Sequence, residues 1–215
     1  MPIPHPTPIY RCIHLENLKL CLERRGIYAP NFEPKNGMGY KTIHNLEIQQ
    51  CRRDTAIPCG PSGVIHDYIP FYFGYLSPML LQLHTNRVVG YTEGQGPIIY
   101  LESTAQIAAQ SGAGFVFSDG HGIAHYTEWF DNLEHLDKVD WGMVYKRYWS
   151  DTMDDMDRQR RKQAEFLIHR FCDWSLIQEI AVMDSGMKEK VIGILDTYPP
   201  EMLREVKVRR DWYYY

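Results

Sequence analysis

The stretch Arg158-Gln-Arg-Arg-Lys-Gln-Ala-Glu-Phe-Leu-Ile168 passes from a run of cations directly into an apolar strand. Glu165 stands at the boundary, at the mouth of the strand and beside the positive charge. A carboxylate in that setting can have a perturbed pKa and can be placed where it takes part in chemistry. The simpler interpretation is a solvated helix end followed by a core strand with an exposed glutamate. The remaining sequence must show whether Glu165 is a functional carboxylate or an exposed surface residue.

The composition of the chain is that of an ordinary soluble globular protein. With 215 residues, of which 44% are hydrophobic and 23% charged, it can form one large domain or two small ones around a sizeable core. A net charge of -4 argues against a protein that coats nucleic acid by bulk electrostatics, but it does not exclude a local basic groove. The abundant aromatic residues can fill a core, and they can also stack on bases or on nicotinamide-like rings.

The cysteines and the N-terminus indicate a cytoplasmic protein. Five cysteines without a C-x-x-C pair fit free thiols in a reducing compartment better than a disulfide scaffold or a zinc site. The segment Met1-Pro-Ile-Pro-His5 is not a signal peptide, because no charged region is followed by an apolar one. No apolar stretch approaches the ~18 residues of a membrane span. We therefore expect no membrane association.

Short strands and helices follow one another along the chain without a repeat or a linker, which predicts a single α+β domain over residues 1–215 with mixed or antiparallel strands. Strands are expected at 9–13, 64–69, 71–73, 98–101, 115–117, 165–168, 180–182 and 206–208. Helices are expected at 16–25, 46–53, 103–110 and 185–195, with another from Ser175. A Rossmann arrangement is not expected, since no G-x-G-x-x-G follows the first strand.

The sequence lacks the residue patterns of several common catalytic and metal sites. His121-x-x-x-His125 has metal-ligand spacing, but the glycines at 120 and 122 disfavour a helix and no third ligand is suitably spaced. His66-Asp67 lacks the other ligands of a metal-dependent phosphohydrolase. There is no G-x-S-x-G nucleophile elbow and no phosphate-binding loop of the Walker type. No bound metal is expected.

Three separated positions could act together on a nicotinamide nucleotide. His14 follows the first strand, Arg52 and Arg53 end a short helix, and Glu165 opens a late strand. Each could simply be a strand-end polar residue or a surface charge. Together, a histidine could bind the nicotinamide ribose and an arginine could neutralise a pyrophosphate. A carboxylate could stabilise an oxocarbenium-like transition state.

Six motifs resemble a single family. They are Pro6 to Leu18, Ile48 to Arg53, Val64 to Phe73, Ser77-Pro-Met79, Arg160 to Leu167 and Val208 to Tyr213. Together they resemble the DarT toxins, ADP-ribosyltransferases that modify bases in single-stranded DNA, from about residue 6 to the C-terminus. Two positions differ from the family pattern: Tyr75-Leu76 precedes Ser-Pro-Met in place of Pro-Arg, and Cys51 precedes the arginine pair.

The resemblance implies an ADP-ribosyltransferase fold, a split and mostly antiparallel β core with flanking helices and NAD bound in the cleft. His14, with Leu15 and Glu16, would bind the nicotinamide end of NAD. Arg52 would contact the phosphates and help position or activate the acceptor base, and Arg53 is the close alternative. Glu165 would be the catalytic glutamate.

The resemblance also implies the substrate and the partner. Residues 119–162 would form a loop region that carries single-stranded DNA to NAD, and thymine or guanine would be the modified base. The residues implied to contact DNA are Tyr145, Arg147, Tyr148 and Trp149, together with Met79. The partner would be a cognate antitoxin, a macrodomain-type ADP-ribosyl hydrolase or similar. Two alternatives stay open: ADP-ribosylation of protein or RNA, and a non-catalytic nucleic-acid-binding module.

Overall fold

The computed structural model describes all 215 residues, Met1 to Tyr215. Its strands are β1 (Pro8–His14), β2 (Gly26–Tyr28), β3 (Tyr68–Tyr72), β4 (Ile98–Thr104), β5 (Phe115–Ser118), β6 (Trp129–Phe130), β7 (Glu165–His169), β8 (Phe171–Asp173), β9 (Glu179–Val182) and β10 (Glu205–Val208). Its α-helices are α1 (Glu16–Glu23), α2 (Leu46–Asp54), α3 (Pro78–His84), α4 (Ala105–Gln110), α5 (Trp141–Val144), α6 (Arg158–Lys162) and α7 (Ser185–Leu195).

Eight strands form one sheet, in the order β10-β9-β4-β1-β3-β7-β5-β6, and β2 pairs with β8 in a separate ribbon. Every neighbouring pair in the sheet is antiparallel except β9 and β10, which run parallel. The expected α+β fold, a mostly antiparallel core with flanking helices, is confirmed. No helix has both the length and the apolar character needed to cross a bilayer.

The sheet is split between β1 and β3. Strand β1 pairs with β4 along its whole length but meets β3 only where Tyr10 faces Tyr72. Phe73 donates its N–H to Ala164 on the β7 side, so Pro70, three residues earlier, turns toward β1. Proline has no N–H to donate, and the ladder cannot extend there. The guanidinium of Arg11 donates instead to the Pro70 carbonyl at 2.9 Å, bridging the gap.

Each face of the sheet carries its own core, because side chains alternate along β1. Ile9 and Ile13 belong to the larger core, which α1 and α7 cover. Tyr10 and Cys12 belong to a second core that includes the C-terminal Trp212. The C-terminal motif is therefore a packing element, which covers the face opposite the larger core.

Most differences from the expected elements lie at their boundaries. The strand expected at 64–69 begins only at Tyr68, because the Asp67 carboxylate accepts the Val64 N–H at 2.8 Å and closes a 3-10 turn. The helix expected from Ser103 begins at Ala105, since Thr104 caps it from the end of β4. Ser175 lies in a single 3-10 turn, Trp174–Leu176. The β2–β8 ribbon was not expected, because three residues per strand are too few to show alternation.

Residues 119–162 contain short elements in place of a regular layer: β6, the 3-10 helix Leu133–Lys138, α5 and α6. Arginines of α6 hold this region together. Arg160 pairs with Asp119 at 2.8 Å and with Asp157 at 2.7 Å. Arg161 pairs with Asp140 and Asp155. Two of the four cations of the basic run, Arg160 and Arg161, are therefore neutralised within the fold, and the run is not simply a solvated helix face.

Candidate active site

A cavity of about 530 Å³ opens where β1 and β3 part. Strands β1 and β3 form its walls, helix α2 and the segment before it cover one side, and α6 and the start of β7 close the far end. The charged side chains of the lining are Arg11, Glu33, Lys41, Arg52 and Glu165. The cavity thus combines three cations with two carboxylates, in a cleft produced by the proline in β3.

Glu165 lies inside this cavity and is only 2% exposed, so the interpretation as an exposed glutamate is wrong. Its two oxygens accept hydrogen bonds from Arg52 Nη1 and Nη2, each at 2.8 Å, a bidentate pair. Burial raises the pKa of the Glu165 carboxyl, but the Arg52 guanidinium more than offsets that effect and holds the pKa below its usual range. Glu165 is therefore ionised at neutral pH.

Helix α2 decides between the two arginines. Asn45 caps the helix by accepting the N–H groups of Glu47 at 2.8 Å and Ile48 at 3.2 Å, which fixes its start and its rotation. Arg52 then faces inward and is buried, while Arg53 points to solvent. The structure brings Arg52 to Glu165 and leaves Arg53 outside the cavity lining.

His14 sits beside the cavity, behind an ionic bridge. Its Nδ1 accepts the Glu16 N–H at 3.1 Å, so its Nε2 carries the proton and faces Glu93 at 3.3 Å. Lys41 joins Glu93 to Glu16. A metal ion would meet three possible ligands in His14, Glu16 and Glu93, but the Lys41 ammonium already pairs with both carboxylates. Leu15 is half-buried, and its N–H donates to Pro97 at 2.9 Å.

The five residues implied to contact DNA do not share one surface. Tyr148 is 80% exposed, and the guanidinium of Arg147 lies 4.0 Å from the centre of the Tyr215 ring. Trp149 is buried, and its Nε1 donates to Tyr214 Oη at 2.9 Å, so its ring offers no free stacking face. Tyr145 is half-buried, and its ring packs at a tilt against the ring of Tyr75. Met79 lines the cavity itself.

The lining residues that were not assigned to the site from the sequence include Arg11, His121, Gln159 and Gln163. Burial lowers the pKa of His121, so its imidazole is neutral at neutral pH. The next residue, Gly122, donates its N–H to Glu165 at 3.3 Å, and a Cβ there would lie 3.2 Å from the same carboxylate oxygen. Gly122, one of the two glycines that argued against a metal-binding helix, therefore belongs to a loop that closely approaches a carboxylate.

The ion pair between Glu165 and Arg52 predicts how stability depends on pH. Because the folded-state pKa of Glu165 is lowered, the pair stabilises the fold above the ordinary carboxyl value of about 4.5. That contribution is lost as the pH falls through the lowered pKa. We expect chemical denaturation at pH 7 and pH 4 to show a smaller loss of unfolding free energy for Glu165→Gln than for the unaltered chain. An equal loss in both would contradict the lowered pKa.

A split, mostly antiparallel sheet with a buried glutamate at the start of a cleft-lining strand, paired to an arginine of a flanking helix, defines an ADP-ribosyltransferase. The family model described as "ssDNA thymidine ADP-ribosyltransferase, DarT" matches residues 10–214. The chain belongs to the DarT family, as the sequence motifs implied, and is an NAD-dependent DNA ADP-ribosyltransferase.

Relatives from Thermus agree with this assignment. A DNA ADP-ribosyl transferase of Thermus sp. strain 2.9 is 39% identical over 211 residues, covering 98% of each chain. The structure of Thermus sp. 2.9 DarT in complex with ADP-ribosylated ssDNA superposes with a TM-score of 0.93 at 38% identity, covering 100% of this chain and 99% of that one. The same protein in complex with NAD+ gives a TM-score of 0.87 at 37% identity, covering 99% and 100%.

Proposed function

We propose that the cavity binds NAD and that the chain transfers its ADP-ribose to thymine in single-stranded DNA. The observation that carries the proposal is the buried, ionised Glu165 held by Arg52 inside the cleft. In the reaction, the bond between the ribose anomeric carbon and the nicotinamide nitrogen breaks and nicotinamide leaves. A bond from that carbon to the base nitrogen forms, and the base loses a proton. Thymine, rather than guanine, follows the description of the family model.

Glu165 is proposed to hold a ribose hydroxyl and to stabilise the positive charge that develops as nicotinamide leaves. A carboxylate that is already ionised and fixed needs no reorganisation at that moment. Its neighbour Arg52 keeps it ionised, and the guanidinium N–H groups not used on Glu165 can bond a phosphate or a base carbonyl. Once nicotinamide leaves, the same carboxylate can assist removal of the base proton.

Residues in and beside the cleft are proposed to make the remaining contacts with NAD. His14, Leu15 and Glu16 are proposed to hold the nicotinamide end, near the Lys41 bridge. Arg11, whose Nε is buried without a hydrogen-bond partner, offers a second cation to the pyrophosphate. Arg53 is assigned no contact with NAD, because it points away from the cavity.

We propose a single ADP-ribosyltransferase domain over residues 1–215, in which 119–162 is the DNA-binding loop region. Within it, Tyr148 offers a free stacking face and Arg147 a cation, while Met79 meets the acceptor base inside the cavity. Tyr145 and Trp149 support this surface from beneath.

Substitution of Tyr148 tests the proposed DNA-binding surface. Base–aromatic stacking contributes about 1–3 kcal/mol per base, so Tyr148→Ala is expected to raise the KM for a DNA oligonucleotide by roughly tenfold. The KM for NAD should not change, since Tyr148 lies outside the cavity lining. Met153→Ala is the matched control, because Met153 is exposed in the same region but has no aromatic face. Equal oligonucleotide KM values for the two variants would count against a stacking role.

The family resemblance supports a toxin that modifies template DNA and blocks replication. Its partner is proposed to be a cognate antitoxin, a macrodomain-type ADP-ribosyl hydrolase or similar, that removes the modification. Both proposed substrates occur in the cytoplasm, where the five free cysteines would stay reduced.

Four homopolymeric DNA oligonucleotides incubated separately with the protein and NAD test the choice of base. Mass spectrometry should show the mass of one or more ADP-ribose groups added to oligo(dT) alone. A gain on oligo(dG) would make the chain guanine-specific. RNA and protein acceptors in parallel reactions should gain nothing, and labelling of either in preference to DNA would contradict the proposed acceptor.

A further inference from the structure

Lys162, the last residue of α6, is a buried cation without an anionic partner. It is only 2% exposed, and it forms no ion pair in the structure. Its ammonium donates to three backbone carbonyls: Val144 at 2.6 Å, Lys146 at 2.9 Å and Tyr75 at 3.2 Å. These bonds use all three N–H donors of the side chain. They join the chain after β3 to the turn after α5.

A buried ammonium of this kind is not explained by stability. Taking the charge out of water is unfavourable, and burial lowers the pKa of Lys162 to about 7. An apolar side chain at this position would avoid that penalty, although it would leave three buried carbonyls without a donor. The three bonds do, however, fix two segments relative to α6. Lysine at this position therefore contributes the relative placement of these two segments and α6, and it does not contribute stability.

Gly74 gives a second, independent sign that these segments must lie close together. A Cβ at Gly74 would stand 2.5 Å from the Val144 carbonyl oxygen, which is one of the three acceptors of Lys162. Because the obstacle is backbone, a side chain at position 74 would push the turn after α5 outward. The turn therefore rests directly on the chain that follows β3.

The contacts of Lys162 lie between the cleft and the surface proposed for DNA. Gln159 of the same helix and Gln163, which directly follows the helix, line the cavity, and Glu165 lies two residues further along the chain. The turn held by Lys162, residues 144–146, leads directly into Arg147 and Tyr148. On the other side, Tyr75 lies three residues before Pro78, which also lines the cavity. One side chain thus sets the position of the stacking surface relative to the catalytic carboxylate.

We propose that Lys162 is a positioning residue, which fixes the turn at residues 144–146 so that Arg147 and Tyr148 guide a DNA strand to the cleft. The proposal rests on the proposed DNA-facing role of that segment. Lys162 itself contacts neither NAD nor DNA, because it is buried and lies outside the cavity lining. Its loss should therefore impair the use of DNA and leave the binding of NAD intact.

Lys162→Met tests this proposal, since methionine has a similar length and no donors. Lys146→Met is the matched control: it removes an exposed ammonium from the same turn and keeps the Lys146 carbonyl. Because Lys162→Met leaves three buried carbonyls without a donor and no longer fixes the turn, we expect the KM for an oligo(dT) substrate to rise about tenfold or more. The dissociation constant for an uncleavable NAD analogue should change less than about twofold. The control should match the unaltered chain in both.

Gly74→Ala is the second variant, because it displaces the same turn while Lys162 is intact. It should reproduce the same split, a raised KM for DNA with unchanged NAD affinity, and hydrogen exchange of residues 141–150 should be faster in both variants. An oligonucleotide KM equal to that of the unaltered chain in folded Lys162→Met, or a parallel loss of NAD affinity, would overturn the positioning role. If the unaltered chain does not label DNA at all, the proposed function fails instead.

Discussion

Glu165→Gln lowers the rate of ADP-ribose transfer from NAD to DNA by about a thousandfold or more. Glutamine keeps the shape of the side chain and can still hydrogen-bond, but it brings no negative charge to the developing oxocarbenium ion. It also cannot accept the base proton. The measurement is the single-turnover rate of oligonucleotide labelling with saturating NAD, because that rate separates chemistry from binding.

Glutamine is a better replacement than alanine at this position. Alanine would leave the Arg52 guanidinium buried without a partner. Removing one member of a buried pair destabilises a protein by about 3–5 kcal/mol. Loss of activity in Glu165→Ala would therefore mix catalysis with folding. A Glu165→Gln variant that labels DNA at the unaltered rate would contradict the catalytic assignment.

Arg52→Ala is the second substitution with a large expected effect, on both stability and activity. It leaves the Glu165 carboxylate buried and unpaired, which should lower the unfolding free energy by about 3–5 kcal/mol. Transfer to DNA should fall by about a hundredfold or more, because the carboxylate loses its orientation and the phosphates or base lose a donor. Chemical denaturation and single-turnover labelling measure the two effects.

Arg53→Ala is the control for Arg52, one position along the same helix. Arg53 is exposed and lies outside the cavity lining, so both its unfolding free energy and its labelling rate should stay close to those of the unaltered chain. Arg52→Lys adds a test of geometry, since an ammonium cannot reproduce the bidentate pairing of a guanidinium. A large defect in Arg53→Ala beside normal labelling by Arg52→Ala would reverse the assignment of the two residues.

The elements with strong local signals were predictable from the sequence. β1, α2 and α7 lie within a few residues of their expected positions, because apolar periodicity and end signals marked them. The β2–β8 ribbon was not predictable, since its three-residue strands are defined only by each other. Likewise, no pattern along the chain states that Pro70 would face β1 and so open the cleft.

The site was predictable only in part, for the same physical reason. The resemblance named both arginines, and only the rotation of α2 places Arg52 inward. Nothing in the local sequence marks Arg11 or Lys162 as buried, because burial of a long charged side chain depends on partners far away in sequence. One acceptor of Lys162 is the backbone carbonyl of Tyr75, which lies 87 residues earlier in the chain. Trp149 suggested a stacking residue by composition, yet its ring is fixed by Tyr214 near the C-terminus.

The central claim is that Glu165 directs ADP-ribose from NAD to DNA in this cleft. The most direct measurement incubates the unaltered chain and Glu165→Gln with NAD labelled in its adenylate moiety and oligo(dT), and counts both labelled DNA and released nicotinamide. We predict one nicotinamide released for each ADP-ribose on DNA with the unaltered chain, and neither product above background with the variant. Nicotinamide released without labelled DNA, or labelled DNA undiminished in Glu165→Gln, would contradict the account.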